Sequence, residues 1–348
     1  MVMKRRLADA VVLAWVVMGF ALGCGEQPPS PPEASKASPQ GATSQGEPHR
    51  GTIGLSLLTL TNPFFNVIAD NVRDEAAKHG YDVLVVSGEF DVARQQNQVK
   101  DFIVKKCAAI ILTPCDSRSI VPAIREANEA GIPVFTADIA VLDHTVRVVS
   151  HIATDNYQGG KLAGEAMIEA LGEAGGKVII LDFKQAESCI MRVKGFKEVI
   201  AAYNHGRERG KILIMSELPG DGQKDKGYRM TEDALQAHPD FAGIFAINDP
   251  SALGAVGALE NAGKLDQVKI IAFDGQPEGK RAIKEGLIYA DPVQFPDQIG
   301  RKTVRTIVKY LEGDDVQKEI LIPTALYRQE DGLKDPELER AGDAAARE

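Results

Sequence analysis

From Arg50 onward, short apolar runs alternate with stretches of helical period, and the alternation runs through twice. The first series of strand candidates is Ile53–Leu58, Tyr81–Ser87, Ala108–Leu112 and Val134–Thr136. The second is Lys177–Leu181, Lys211–Met215, Gly243–Ala246 and Ile270–Phe273. Between them lie amphipathic stretches at Val67–Ala77, Asp91–Lys106, Ile120–Ala130, Tyr157–Leu171, Arg192–Tyr203, Lys226–Ala237, Ser251–Ala262 and Gly279–Glu285. Runs this short and this apolar read as strands buried on both faces, and their alternation with helices implies α/β architecture with parallel sheets. A break near Val149–Asp155 divides the pattern, so two doubly wound lobes are expected rather than one sheet of eight or more strands. Gly80, Gly131 and Gly210 sit at helix-to-strand turns, where glycine ends a helix. With 348 residues, 44% of them hydrophobic, the chain can fill two medium cores.

The first residues do not belong to that pattern. Lys4, Arg5 and Arg6 precede an apolar run from Ala10 to Phe20 that ends in Ala21-Leu22-Gly23-Cys24. A basic start, a short apolar core and small residues before a cut describe a secretory signal over residues 1–23. The run is too short to span a bilayer comfortably. Its end resembles the bacterial lipobox, which implies that Cys24 is lipidated and becomes the new N-terminus. Residues 24–50 are rich in Pro, Ser, Gly and Gln and read as a disordered tether. Removing residues 1–23 takes away three basic residues and one acid, so the remainder is more acidic than the whole chain's −9. With no dense basic patch, nucleic-acid binding is disfavoured.

Three cysteines follow Cys24. Cys107 and Cys115 flank the strand candidate Ile110-Ile111-Leu112, and extended backbone holds them beyond bridging distance. Free thiols are expected, with Cys115 nearest the cleft. His144 and His151 have no metal-site spacing, and no Gly-x-Ser-x-Gly or P-loop occurs. The reading is therefore a non-enzyme without cofactor or metal.

The first strand candidate runs into Asn62-Pro63-Phe64-Phe65. Asn62 can cap the following helix and Pro63 fits its first turn. Two rings thus stand at a strand-to-helix turn, where open α/β sheets take ligands. One ring is expected in the core beneath the helix and at least one in a cleft, where its face can stack on a sugar.

Six motifs then occur in order: Thr61-Asn62-Pro63-Phe64-Phe65; Val149-Ser150-His151-Ile152-Ala153-Thr154-Asp155-Asn156; Arg192-x-x-Gly195-Phe196; Ala246-Ile247-Asn248-Asp249-x-x-Ala252-Leu253-Gly254; Phe273-Asp274-Gly275; and Gln294-x-Pro296-Asp297-Gln298-Ile299-Gly300. Together, over about residues 51–328, the chain resembles the ribose-binding type of periplasmic binding protein, the sugar-capturing subunit of ABC importers. The resemblance implies two lobes joined by a three-segment hinge: 51–154 with 295–322, and 155–294 with 323–348. It implies that Asn62, Asp138, Arg192, Asn248, Asp274 and Gln294 hydrogen-bond ligand hydroxyls while Phe64 and Phe65 contact its apolar face. It further implies an envelope location, a membrane permease as partner and a monomeric protein. A ligand-binding partner of a sensor kinase or chemoreceptor is the alternative output.

Helix capping competes for some of these residues. Asp155 and Asn156 are read as cap or hinge residues, and of Asn248-Asp249 the cap is assigned to Asp249. The chain departs from the ribose binders in carrying Ile139 where they have arginine, Gly222 where they have an aromatic ring, and Thr113 before Pro114 where they have asparagine. Losing such groups is expected to change the ligand to another monosaccharide, a sugar alcohol or another small polyol, with one stacking face missing. Because the site residues are expected to face a wet cleft, truncating them should leave the fold intact.

Overall fold

A computed structural model describes residues 49–338. The signal segment 1–23, Cys24, nearly all of the tether and residues 339–348 lie outside the described residues.

The first sheet has the order β11-β5-β4-β3-β1-β2. Its strands are β1 (Gly51–Leu57), β2 (Tyr81–Ser87), β3 (Ala109–Leu112), β4 (Val134–Ala137), β5 (His151–Thr154) and β11 (Glu319–Ile322), all paired in parallel. The second sheet has the order β12-β10-β9-β8-β6-β7. It contains β6 (Gly176–Asp182), β7 (Ile212–Pro219), β8 (Gly243–Ala246), β9 (Lys269–Ile271), β10 (Ala290–Val293) and β12 (Ala325–Arg328). Only β12 runs antiparallel, against β10. The central strands β3, β4 and β8 are buried along their whole length, as the unbroken apolar runs require.

The helices of two turns or more among the described residues are α1 (Pro63–Ala77), α2 (Val92–Val104), α3 (Val121–Glu129), α4 (Asn156–Leu171), α5 (Glu187–Asn204), α6 (Lys224–Ala237), α7 (Asp249–Asn261), α8 (Pro277–Lys284) and α9 (Pro296–Leu311). Two side chains read as caps do cap: Asn62 accepts from Phe64 N at 3.0 Å and Asp155 from Gln158 N at 2.9 Å. Asp91 caps α2 in the same way, accepting from Arg94 N at 3.0 Å. At α7 the assignment is reversed. Asn248, not Asp249, caps by accepting from Ser251 N at 3.1 Å, and Asp249 is the first helical residue.

The chain passes between the sheets three times, from β5 to α4, from β10 to α9 and from β11 to β12. The segment read as a break contains β5, and β10, β11 and β12 were not expected as strands. Each is only four residues long, and β11 and β12 are largely exposed or half-buried. Length alone does not hide them, since β3, β4 and β8 are as short; His151, Asp291 with Pro292, Glu319 and Arg328 interrupt their apolar runs.

One packing detail positions the site. A Cβ on Gly160 of α4 would lie 2.1 Å from the Arg192 carbonyl oxygen, and one on Gly195 of α5 would lie 2.3 Å from that of Tyr157. The two helices therefore meet backbone to backbone, which brings Arg192 against the first turn of α4.

Candidate functional site

At the carboxyl ends of both sets of strands, residues from the two sheets line a cleft. Such strand ends are where open α/β sheets place ligands. The cavity is lined by all eight residues singled out from the sequence: Asn62, Phe64, Phe65, Asp138, Arg192, Asn248, Asp274 and Gln294.

Arg192 organises the polar side. Its side chain is 3% exposed. Nη1 donates to Asp274 Oδ1 at 3.1 Å and to the Ile247 carbonyl at 2.7 Å, and Nε donates to Asn156 Oδ1 at 2.8 Å. Its guanidinium carbon lies 3.8 Å from the centre of the Phe273 ring. Asp274 also accepts from Gln294 Nε2 at 2.6 Å and from Gln276 Nε2 at 3.1 Å. Burial raises the Asp274 carboxyl, while Arg192 and the two amides pull it back towards the charged form.

Asp138 belongs to the first sheet, at the end of β4, with a positive φ of 64°. Burial pushes its carboxyl up to about 7, with Arg192 opposing and Asp274 adding to the rise. Two buried acceptors in this wall lack a donor, Asp138 Oδ1 and Gln294 Oε1. A buried oxygen without a donor is costly, and an incoming hydroxyl supplies one. Asn248 is committed at both ends, capping α7 and donating Nδ2 to the Gly222 carbonyl at 3.0 Å. Asn62 is likewise used as a cap, leaving its NH2 group for other partners.

Rings form the apolar side. Phe64 and Phe65 pack edge to face with centres 5.2 Å apart, and both are nearly fully buried, so neither is a core residue alone. Phe90, after β2, and Phe183, after β6, meet across the cleft at 6.2 Å. Neither was singled out from sequence. Phe183 stands at the end of β6 just as Phe64 and Phe65 follow β1, so strand-end position was the available signal. Its ring supplies an aromatic face from the second sheet, beside Gly222, where a face was expected to be missing.

Cys107, Cys115 and Cys189 are free and buried. Cys189, not Cys115, lines the cavity, and burial pushes its thiol up to about 12. Cys115 instead points its thiol towards the Leu58 carbonyl at 3.7 Å. The reversal follows from α5, whose first turn carries Cys189 inward together with Arg192.

The two halves also touch at the cavity's rim. Ser117 N donates to the Gln185 carbonyl at 2.9 Å, and Ser117 Oγ accepts from Glu187 N at 2.9 Å. A serine from one half thus caps the helix of the other half that carries Arg192.

A family model described as periplasmic binding protein domain matches residues 53–315. The chain belongs to the periplasmic binding protein family. It is 39% identical over 269 residues to the ribose import binding protein RbsB of Salmonella typhimurium, covering 77% of this chain and 87% of that protein. Against the ribose import binding protein of Bacillus subtilis it is 33% identical over 300 residues, covering 86% and 92%. Among solved structures, an ABC transporter solute binding protein from Mycobacterium smegmatis with bound glycerol is 31% identical, with a TM-score of 0.75 over 82% of this chain and 96% of that one. One from Agrobacterium vitis with bound D-fucose is 30% identical, with a TM-score of 0.75 over 83% and 99%. In this periplasmic binding protein the rings, the orphan acceptors and the Arg192–Asp274 pair therefore face one another in the cleft between two α/β halves.

Proposed function

We propose that the chain captures a monosaccharide or small polyol by closure of two lobes, residues 51–154 with 295–322 and residues 155–294 with 323–348, and delivers it to an ABC permease. The observation that carries this reading is the cavity's division of labour. Asp138 Oδ1 and Gln294 Oε1 are buried acceptors awaiting donors, while Phe64, Phe65 and Phe183 offer ring surface. A ligand with several hydroxyls on one side and C–H groups on the other satisfies both. Such a ligand rather than a flat or anionic one suits a site whose one buried cation is already paired with Asp274.

The Ile139 side chain in the lining, where ribose binders carry arginine, removes a donor and favours a ligand other than ribose. No chemistry on the ligand is proposed: the Asp138 and Asp274 carboxyls bind hydroxyls and do not turn over. We further propose that Cys24 carries a lipid, that residues 25–50 tether the folded body to the envelope and that the protein acts as a monomer.

The test is a thermal-shift panel on the full chain with D-ribose, D-allose, D-fucose, D-tagatose, myo-inositol and glycerol. A ligand at about 100 times its Kd stabilises the native state by about 2.7 kcal/mol. At least one compound should raise the melting temperature in a dose-dependent way, and Asp138→Ala with Gln294→Ala should abolish that rise. No response to any sugar or polyol, with a response to an amino acid or an anion, would overturn the reading.

A further inference from the structure

Directly behind Asp274 lie two more carboxyls that nothing in the ligand site uses. Asp249, at the first position of α7, is 1% exposed, and Asp291, in β10, is 0% exposed. Each spends one oxygen on the turn that carries Asp274. Asp291 Oδ2 accepts from Gly275 N at 2.9 Å, and Asp249 Oδ2 accepts from Gln276 N at 2.7 Å. The other oxygen of each, Oδ1, is buried with no donor from the protein. The two carboxyls accept from consecutive N–H groups of one turn, Gly275 and Gln276, which sets them side by side.

Two ionised carboxylates cannot satisfy that geometry. Both are acceptors only, and two like charges in a dry site repel. One proton between them turns the second orphan oxygen into the donor that the first lacks. We propose that Asp249 and Asp291 share one proton and in that state hold the Asp274–Gly275–Gln276 turn, so that Asp274 points into the cavity.

The surroundings support this. Asp274 itself adopts a φ of 122°, a backbone conformation that an L-residue rarely takes without being held. Its neighbours' N–H groups on the far side are held by the pair, one by each acid. Gly279 in α8 leaves room for Asp249: a Cβ there would lie 2.2 Å from Asp249 Oδ1 and 2.3 Å from its Cγ. The charged groups that face the pair are Asp274 on the turn, which disfavours a second negative charge, and Arg192 from α5, already paired with Asp274. Burial and this repulsion hold both carboxyls above the ordinary carboxylate range, and the pair titrates as a unit. Because the folded state holds the proton more tightly than the unfolded chain, the stability it contributes is complete in acid. That stability is lost as pH rises from the ordinary carboxyl range through the folded value. Asp249 and Asp291 are positioning residues, and their bearing on ligand capture rests on the function proposed above.

The test needs no ligand. In the full chain labelled with ¹³C at aspartate carboxyls, Asp249→Asn and Asp291→Asn identify the two resonances by their loss. In wild type, one of the two should remain protonated at neutral pH. Amide exchange at Gly275 and Gln276 should be slow there and speed up as the pair ionises. Asn at position 291 can accept from Gly275 and donate permanently to Asp249, so Asp291→Asn should keep both amides protected and abolish their pH dependence. Asp291→Val, close in size but unable to do either, should deprotect them by about tenfold or more. Two carboxyls fully ionised at pH 5 in wild type, or Asp291→Val exchanging like Asp291→Asn, would overturn the proposal. If a panel sugar binds, its affinity should follow the same order, wild type and Asp291→Asn above Asp291→Val. If no sugar binds, the functional reading fails while the carboxyl and amide data still decide this one.

Discussion

Replacing Arg192 with methionine separates two views of the site. A cleft residue facing water should leave the fold untouched when truncated, and that was the expectation from sequence. The structure instead buries the residue and engages it, which predicts a cost. Arg192 and Asp274 are 3% and 4% exposed, and the guanidinium serves acceptors from three places: Asp274, the Ile247 carbonyl at the end of β8 and Asn156 on α4. Methionine keeps the aliphatic stem and removes every donor. Breaking a buried ion pair by removing one partner costs about 3–5 kcal/mol. Asp274 retains Gln276 and Gln294 as donors and can escape by taking a proton, which returns part of that loss.

We therefore expect about 3 kcal/mol of destabilisation at neutral pH, a fall of roughly 5–10 °C in Tm for a protein of this size. Arg192→Met raises the Asp274 carboxyl further above its unfolded value, so the variant should lose most stability at high pH and least near the ordinary carboxyl range. Adding Asp274→Asn should recover part of the loss, because the uncompensated charge is gone. Calorimetric melting of wild type, Arg192→Met, Asp274→Asn and the double variant across pH, and titration with whichever panel compound binds, gives both terms. Binding should weaken by about thirty-fold or more, at 1.4 kcal/mol per tenfold. A variant that melts within about 0.5 kcal/mol of wild type, with no pH dependence of the difference, would refute the buried-pair argument.

Ser117→Ala removes the cap that one half gives to α5 of the other; a cap is worth about 0.5–2 kcal/mol, so small-angle scattering of the ligand-free protein should show a larger radius of gyration. An unchanged radius would mean that this contact does not hold the halves together. Gly195→Leu drives a side chain into the Tyr157 carbonyl and should separate α4 from α5, lowering Tm and ligand affinity together; wild-type values of both would contradict the backbone contact. Glu75 bridges α1 to Arg305 of α9 and also pairs with Lys78 at the end of α1; Arg305 and Lys78 hold its carboxyl down at about 2 despite its burial. Its contribution is present above the ordinary glutamate range and is lost as pH falls towards 2, so Glu75→Gln should be most destabilising near neutral pH and indistinguishable from wild type in strong acid. Cys24→Ala should release the protein from the membrane fraction or block its processing; a soluble wild-type protein beginning at another residue would refute the anchor.

How much of this was legible in the sequence differs by element. Strands β1, β3, β4, β6 and β8 announced themselves because burial on both faces demands predominantly apolar runs. The caps Asn62 and Asp155 were legible because a short polar side chain before a helix has a backbone N–H to satisfy. The α/β class follows from these local patterns alone. Asn62 to Phe65 could be named because the first strand-to-helix turn of such a chain lies at a cleft, whereas Asn248 and Asp274 were named through the resemblance to ribose-binding proteins.

What tertiary structure decided is everything that depends on two distant segments meeting. Whether Asn248 or Asp249 caps α7 was settled by Asp291 and Gln276, which claim the Asp249 carboxyl from other parts of the chain. Which cysteine reaches the cavity was settled by the seating of α5 on α4 through Gly160 and Gly195. The Phe90–Phe183 contact and the Ser117 cap join residues of opposite halves, and no local pattern encodes such a pairing. Periodicity and capping are properties of neighbours in sequence, so sequence determines them. Burial of a charge, the donor an oxygen lacks and the proton two carboxyls share arise only when the fold removes water from groups far apart along the chain.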